Sequence, residues 1–179
     1  RELALEHLRN SIIDGSLEMG QILSERKISE ELGVSKSPVR EALAQLRDEG
    51  LVSIEPQKGA RVFSLSEEEV SQICDFRQAI EIAAFELALV RDPVGLSVEM
   101  SRVVEEMARK RDKSDERGYL SLDTTFHHLI FEKAGNIYLT ASYDRYTGKI
   151  AALRTHLAKF PQHTDLSFME HQRISAAVG

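Results

Sequence analysis

The sequence predicts a mainly α protein in two parts: an N-terminal winged helix-turn-helix, three helices plus a β-hairpin wing, and an all-helical bundle behind it. Three observations carry this. Apolar residues recur at i, i+3, i+4 and i+7 along most of the chain, the spacing of helices with one buried face. That spacing breaks once, between Leu51 and Phe63, where two short apolar runs flank Pro56-Gln57-Lys58-Gly59. Helical spacing resumes behind Ser66-Glu67-Glu68-Glu69, a capping box whose Ser and Glu satisfy backbone donors reciprocally.

Each element has its own signal. Glu2 to Asp14 reads as a helix with Leu5, Leu8 and Ile12 on one face, closed by Gly15. Ser24 caps a second helix that runs to Leu32, before Gly33. Ser35 caps a third, whose face is Val39, Ala42, Leu43 and Leu46 and which stops at Gly50. Leu51 to Ile54 and Ala60 to Phe63 are the strands of a hairpin. A helix from Ser66 to about Arg91 precedes Asp92-Pro93. Further helices are expected at about Ser97 to Asp112, Glu116 to Ala134 and Ile137 to Phe160, with a last one from about Asp165. These readings give two domains, 1–64 and 65–179.

Composition narrows the function classes. The 179 residues, 42% of them hydrophobic, provide for two small cores. Cys74 is the one cysteine, which excludes an intrachain disulfide and suits a reducing cytoplasm. No apolar run approaches the roughly 20 residues that span a bilayer, so no membrane partner is expected. The chain opens at Arg1 without a Met, and a natural start upstream is expected. Ile174, Ala177 and Val178 read as a helix face interrupted at Gly179. The net charge is −6, and up to Phe63 nine Lys/Arg face eleven Asp/Glu. A strongly basic domain is absent, so a DNA-binding reading depends on where the cations sit.

They sit in a suggestive place. Two helices joined through a tight Gly-containing turn cross each other, and the N-terminal end of the second enters the major groove. That end carries Ser35, Lys36, Ser37 and, one turn on, Arg40, away from the Val39/Leu43/Leu46 stripe. Arg can bond both O6 and N7 of guanine, and Ser hydroxyls reach bases or phosphates. Arg26 lies on the neighbouring rim, and Gln57, Lys58 and Gly59 form the wing tip. A Lys/Arg pair on a helix is more often a solvated face; the helix order, turn and hairpin together favour the DNA reading.

The runs Leu23-Ser24-Glu25-Arg26, Glu31 to Leu43, Glu49-Gly50-Leu51-Val52 and Gly59-Ala60-Arg61-Val62 strongly resemble the GntR family of regulators, over nearly all of the first 63 residues. The resemblance implies that Arg26, Lys36, Ser37, Arg40 and Gly59 contact DNA. Lys36 stands where arginine is commoner in the family, which replaces a bidentate fork with a point charge.

In the helical half, steps of about 100° place Tyr119, Asp123, Phe126, His127, Ile130 and Ala134 on one face. Asp123 and His127 lie side by side in that apolar stripe. An unpartnered buried carboxylate costs several kcal/mol, so something must satisfy Asp123. Either the pair bonds internally, or it holds a divalent metal such as zinc or a nickel-like transition metal. His171 is a candidate third ligand. The Glu-x-x-His signature of di-iron bundles is absent.

Phe76-Arg77, Ile80-Glu81, Asp123 to His127, Ala134-Gly135-Asn136, Leu153-Arg154 and Glu170-His171 look like the FCD domain of the FadR branch of that family, over most of residues 66–179. The resemblance implies metal ligation by Asp123, His127 and His171, with a fourth ligand on a helix beyond Gly179. It implies a small carboxylate or sugar-acid effector, with Arg77, Arg154 and His156 as helpers unless they serve ion pairs such as Arg77 with Glu81. The expected function is a ligand-responsive regulator, a repressor of a metabolic operon released by its effector. It would bind a near-palindromic double-stranded operator as a homodimer and would not be an enzyme. Two alternatives stand beside it: a metal-dependent hydrolase built on the helical domain, and a winged-helix module used only for protein contacts.

Overall fold

A computed structural model describes residues 1–55 and 57–179; Pro56, in the expected wing turn, lies outside them. The chain forms two compact units, Arg1–Glu69 with Arg145–Thr155, and Val70–Asp144 with His156–Gly179. The expected division after residue 64 follows chain order; packing instead returns one stretch of a late helix to the first unit.

The first unit has the expected order with one addition. Helices α1 (Glu2–Ile13), α2 (Glu25–Leu32) and α3 (Lys36–Asp48) precede strands β2 (Val52–Glu55) and β3 (Gly59–Val62). The addition is β1 (Ile22–Leu23), which pairs antiparallel with β3 and gives a three-stranded sheet in the order β1-β3-β2. Two residues are too few to show alternation, which is why β1 leaves no trace in the sequence. Ser24 caps α2 by accepting from the Lys27 N–H. Ser35 occupies the N-cap position of α3 but makes no side-chain capping bond.

The core of this unit collects Leu5, Leu8 and Ile12 of α1, Val39, Leu43 and Leu46 of α3, and Leu51, Val52, Val62 and Phe63 around the sheet. All are nearly inaccessible. Each Leu or Ile buried this way contributes roughly 1.5–3 kcal/mol relative to exposure. Ala152, from helix α7 (Ile137–Ala158), belongs to the same core. One turn earlier, a Cβ at Gly148 would stand 3.1 Å from Leu51 Cδ1, so a larger residue there would press on the Leu51 side chain. Lys149 lies over the Phe63 ring, 5.6 Å from its centroid.

The second unit is helical: α4 (Glu67–Arg91), α5 (Pro93–Asp112), α6 (Glu116–Ala134), the ends of α7, and α8 (Pro161–Val178). The capping box forms before α4, with the Glu69 N–H donating to Ser66 Oγ and the Ser66 N–H to Glu69 Oε2. α5 packs on both α6 and α8 through Leu96, Met100, Val103 and Met107. Two helix starts differ from expectation. α5 begins at Pro93 rather than Ser97, because Asp92 caps it and Pro93 takes the first helical position. α8 likewise begins at Pro161 rather than Asp165, and α7 ends at Ala158. In both cases proline, read as a stop, is also a start. Among the described residues no helix is long and apolar enough to cross a membrane.

Candidate DNA-binding face and metal centre

On the first unit, α3 buries its Val39/Ala42/Leu43/Leu46 face, which leaves Ser35, Lys36, Ser37 and Arg40 exposed at its N-terminal end. Arg26 is exposed on α2, and Lys58 and Gly59 are exposed at the wing. Three of these cations hold acids in the same unit: Arg40 Nε donates to Glu25 Oε2 at 2.7 Å, Arg26 Nη1 to Glu30 Oε1 at 3.0 Å, and Lys58 Nζ to Glu55 Oε2 at 2.6 Å. Such exposed pairs are worth only about 0–1 kcal/mol and exchange readily. The Lys58 pair holds Glu55, itself exposed, below the usual carboxylate range. The excess of acid over base thus has a local form: glutamates beside the candidate DNA-reading cations.

In the second unit, Asp123 and His127 come from consecutive turns of α6 and His171 from α8. Phase alone places Asp123 in the buried stripe, and the chain delivers it there with 3% exposure; His171 has 4%. His127 Nε2 stands 3.3 Å from His171 Nε2, and His171 Nε2 stands 3.5 Å from Asp123 Oδ1. Ligand atoms of all three residues lie within 4.8 Å of one another, the one such cluster among the described residues. The Phe126 ring closes one side, 4.4 Å from the His171 ring centroid.

Hydrogen-bond polarity tests whether a cation fits. Ser167 Oγ donates to Asp123 Oδ1 at 3.4 Å and lies 3.4 Å from His171 Nδ1. A hydroxyl has one proton; with it given to the carboxylate, Ser167 accepts from His171 Nδ1–H. His127 Nδ1 meets Glu81 Oε2 at 2.9 Å, where it must donate to a carboxylate. When both rings are neutral, this arrangement turns the lone pairs of the two Nε2 atoms toward each other, which suits a cation. Bonds of about 2.0–2.2 Å at tetrahedral angles separate two donors by roughly 3.4 Å. The two separations from His171, 3.3 and 3.5 Å, match that spacing, and the third pair lies within 4.8 Å. The donor set fits a divalent transition metal.

Glu81, on α4, accepts from Arg77 Nε at 2.8 Å, the ion pair the sequence allows for. Its contact with His127 was not legible, because it joins α4 to α6 and has no local spacing. Ser167, four residues before His171 on α8, did have a usable signal in that spacing. Burial pushes the Glu81 carboxyl up, but without a metal the bond and charge of a protonated His127, with Arg77, outweigh this and lower it to about 2. Arg154 falls in the α7 segment that packs with the first unit, and His156 is exposed. His128 pairs with Asp144 at 3.0 Å.

Comparisons with known proteins follow this geometry. Residues 2–62 match the family "Bacterial regulatory proteins, gntR family", and residues 72–179 match the "FCD domain". The gluconate operon transcriptional repressor of Bacillus licheniformis is 35% identical over 74% of this chain and 54% of its own. The HTH-type transcriptional repressor RspR of Escherichia coli is 33% identical over 71% of this chain and 56% of its own. The chain thus spans about half the length of these curated relatives. An HTH-type regulator of Agrobacterium vitis is 32% identical, with 71% of this chain and 76% of its own covered. Among solved structures, E. coli McbR/YncC superposes with a TM-score of 0.81 at 20% identity, covering 98% of this chain and 84% of that one. A regulator from Rhodococcus gives 0.71 at 21%, covering 97% and 94%. The relatives are regulators rather than enzymes, and the hydrolase alternative finds no support. The chain belongs to the GntR family of transcriptional regulators, with a GntR helix-turn-helix domain followed by an FCD domain.

Proposed function

We propose that this regulator binds a near-palindromic duplex operator as a homodimer and represses a metabolic operon until a small carboxylate or sugar acid releases it. The observation that carries the DNA reading is the exposed N-terminal end of α3, where Lys36 and Arg40 share a face opposite the buried stripe. Ser35, Ser37, Arg26, Lys58 and Gly59 complete the contact set, α3 in the major groove and the wing beside the minor groove. One recognition helix reads only a few base pairs, so two-fold pairing is the simple route to specificity. Lys58 and Arg26 serve phosphates, and Arg40 serves a base edge.

Asp123, His127 and His171 hold a divalent metal, zinc or a nickel-like ion. The bound metal supplies a Lewis-acidic anchor for an effector carboxylate. Arg77, in the same unit as the metal residues, is the candidate effector helper, although it gives its Nε to Glu81; Arg154, the other expected helper, packs with the winged unit. The name of the gluconate operon repressor supports the sugar-acid class. Selection from a random duplex pool, followed by thermal-shift screening of carboxylates on zinc-loaded protein, tests both halves. A selected site with two-fold symmetry and a ligand that raises the melting temperature are expected. An unenriched pool sinks the operator reading.

A further inference from the structure

We propose that Glu81 is a positioning residue for the metal site, fixing the ring orientation and tautomer of His127 while Arg77 fixes Glu81. The inference rests on the metal reading above and adds a residue to it from a third helix. His127 on α6 has two ring nitrogens with different neighbours. Nε2 faces His171 at 3.3 Å, inside the cluster, and Nδ1 faces Glu81 Oε2 at 2.9 Å, on the opposite edge of the ring. A neutral imidazole has one proton, and a carboxylate can only accept it, so Glu81 draws the proton to Nδ1 and leaves the Nε2 lone pair to a metal. A ring flipped about its last torsion would lose this bond.

Glu81 is itself held on both oxygens, Oε2 by His127 and Oε1 by Arg77 Nε at 2.8 Å. Both partners are largely shielded, with side-chain exposures of 15% for Glu81 and 25% for Arg77. The carboxylate therefore stays charged and in one orientation. A charged partner behind a ligating imidazole also raises the basicity of the nitrogen in front, and removal of such partners typically weakens metal binding about 10–100-fold. Ser167 takes the same place behind His171 as a neutral group. The two histidines are thereby unequal, His127 being the more strongly polarised ligand.

The test uses zinc alone as the probe, on the intact protein stripped and reloaded, with affinity read by chelator competition. Nitrogen-15 spectra of the histidine rings report the His127 tautomer in the metal-free state. Glu81→Ala is expected to lower zinc affinity about 10–100-fold and to mix the His127 tautomers. Glu81→Gln keeps an acceptor without the charge, so it should keep the Nδ1–H tautomer and recover part of the affinity. Should Glu81→Ala fail to fold, Arg77→Gln serves, with a smaller loss in the same direction. Wild-type affinity in the variants that fold overturns the role of Glu81 and leaves the metal site standing. A wild-type protein that takes up no zinc overturns both.

Discussion

The two candidate sites use charge in opposite settings. On the winged unit, Arg26, Arg40 and Lys58 stand in water, each against a glutamate within 3.0 Å. In the helical unit, Asp123 and His171 are almost inaccessible and meet residues from other elements. The exposed pairs cost little to open, so a phosphate or base edge replaces the glutamate with a modest change in free energy. The buried set has no such freedom, since an acid taken out of water needs fixed compensation at every step. Exchangeable partners suit a surface that scans many sequences. Fixed partners suit a centre that holds one ion and answers to one class of ligand.

The largest expected effect separates the sites outright. Asp123→Ala should abolish stoichiometric metal, read by elemental analysis of protein prepared without chelator. Operator affinity without effector should stay that of the wild type. Retained metal breaks the assignment of Asp123, and a parallel loss of operator binding breaks the separation. Acid should draw the same line. Ligating histidines must be neutral, so zinc affinity falls in acid as protons compete with the metal for the two rings. Arg and Lys do not titrate there, and operator affinity should not follow the same profile.

Smaller effects sharpen the exposed side. Arg40→Ala should cost about 1–3 kcal/mol on the operator and relax discrimination at one base pair. Lys58→Ala should weaken all duplexes alike and flatten the salt dependence. Variants that bind as the wild type does would move α3 out of the groove. The smallest effect serves as a reference outside both sites. Asn136 caps α7 by accepting from the Tyr138 and Leu139 N–H groups, and Asn136→Ala should destabilise by about 1 kcal/mol in urea melts. A shift in zinc or operator affinity there would show that the sites are less local than the geometry indicates.

The same contrast governs what the sequence discloses. The fold of the winged unit was legible because its helices and hairpin follow one another along one stretch of chain, each helix with its own buried stripe. Asp123 and His127 were legible as a polar pair at i and i+4 in an apolar face, and α6 has the expected bounds. Whether that pair faced a metal stayed open, because the answer depends on which groups other helices bring to it. His171 was a candidate third ligand that the family resemblance tied to the pair, and the Glu81 contact crosses from α4 to α6 with no periodic signature. The missed starts of α5 and α8 have a local cause: proline lacks an N–H, which a first helical turn does not need.

The return of α7 to the winged unit bears on how such regulators can be recombined. Ala152 is sealed in the DNA-reading core and Gly148 lies against Leu51, so the reading head is completed by residues more than eighty positions downstream of its last strand. A transplant that joins residues 1–64 to a foreign sensor leaves Leu51 and its neighbours without that cover, unless the new partner brings a helix with small residues at matching turns. Modularity here is a property of paired surfaces rather than of a cut in the chain, and a working chimaera would have to inherit the helix along with the head.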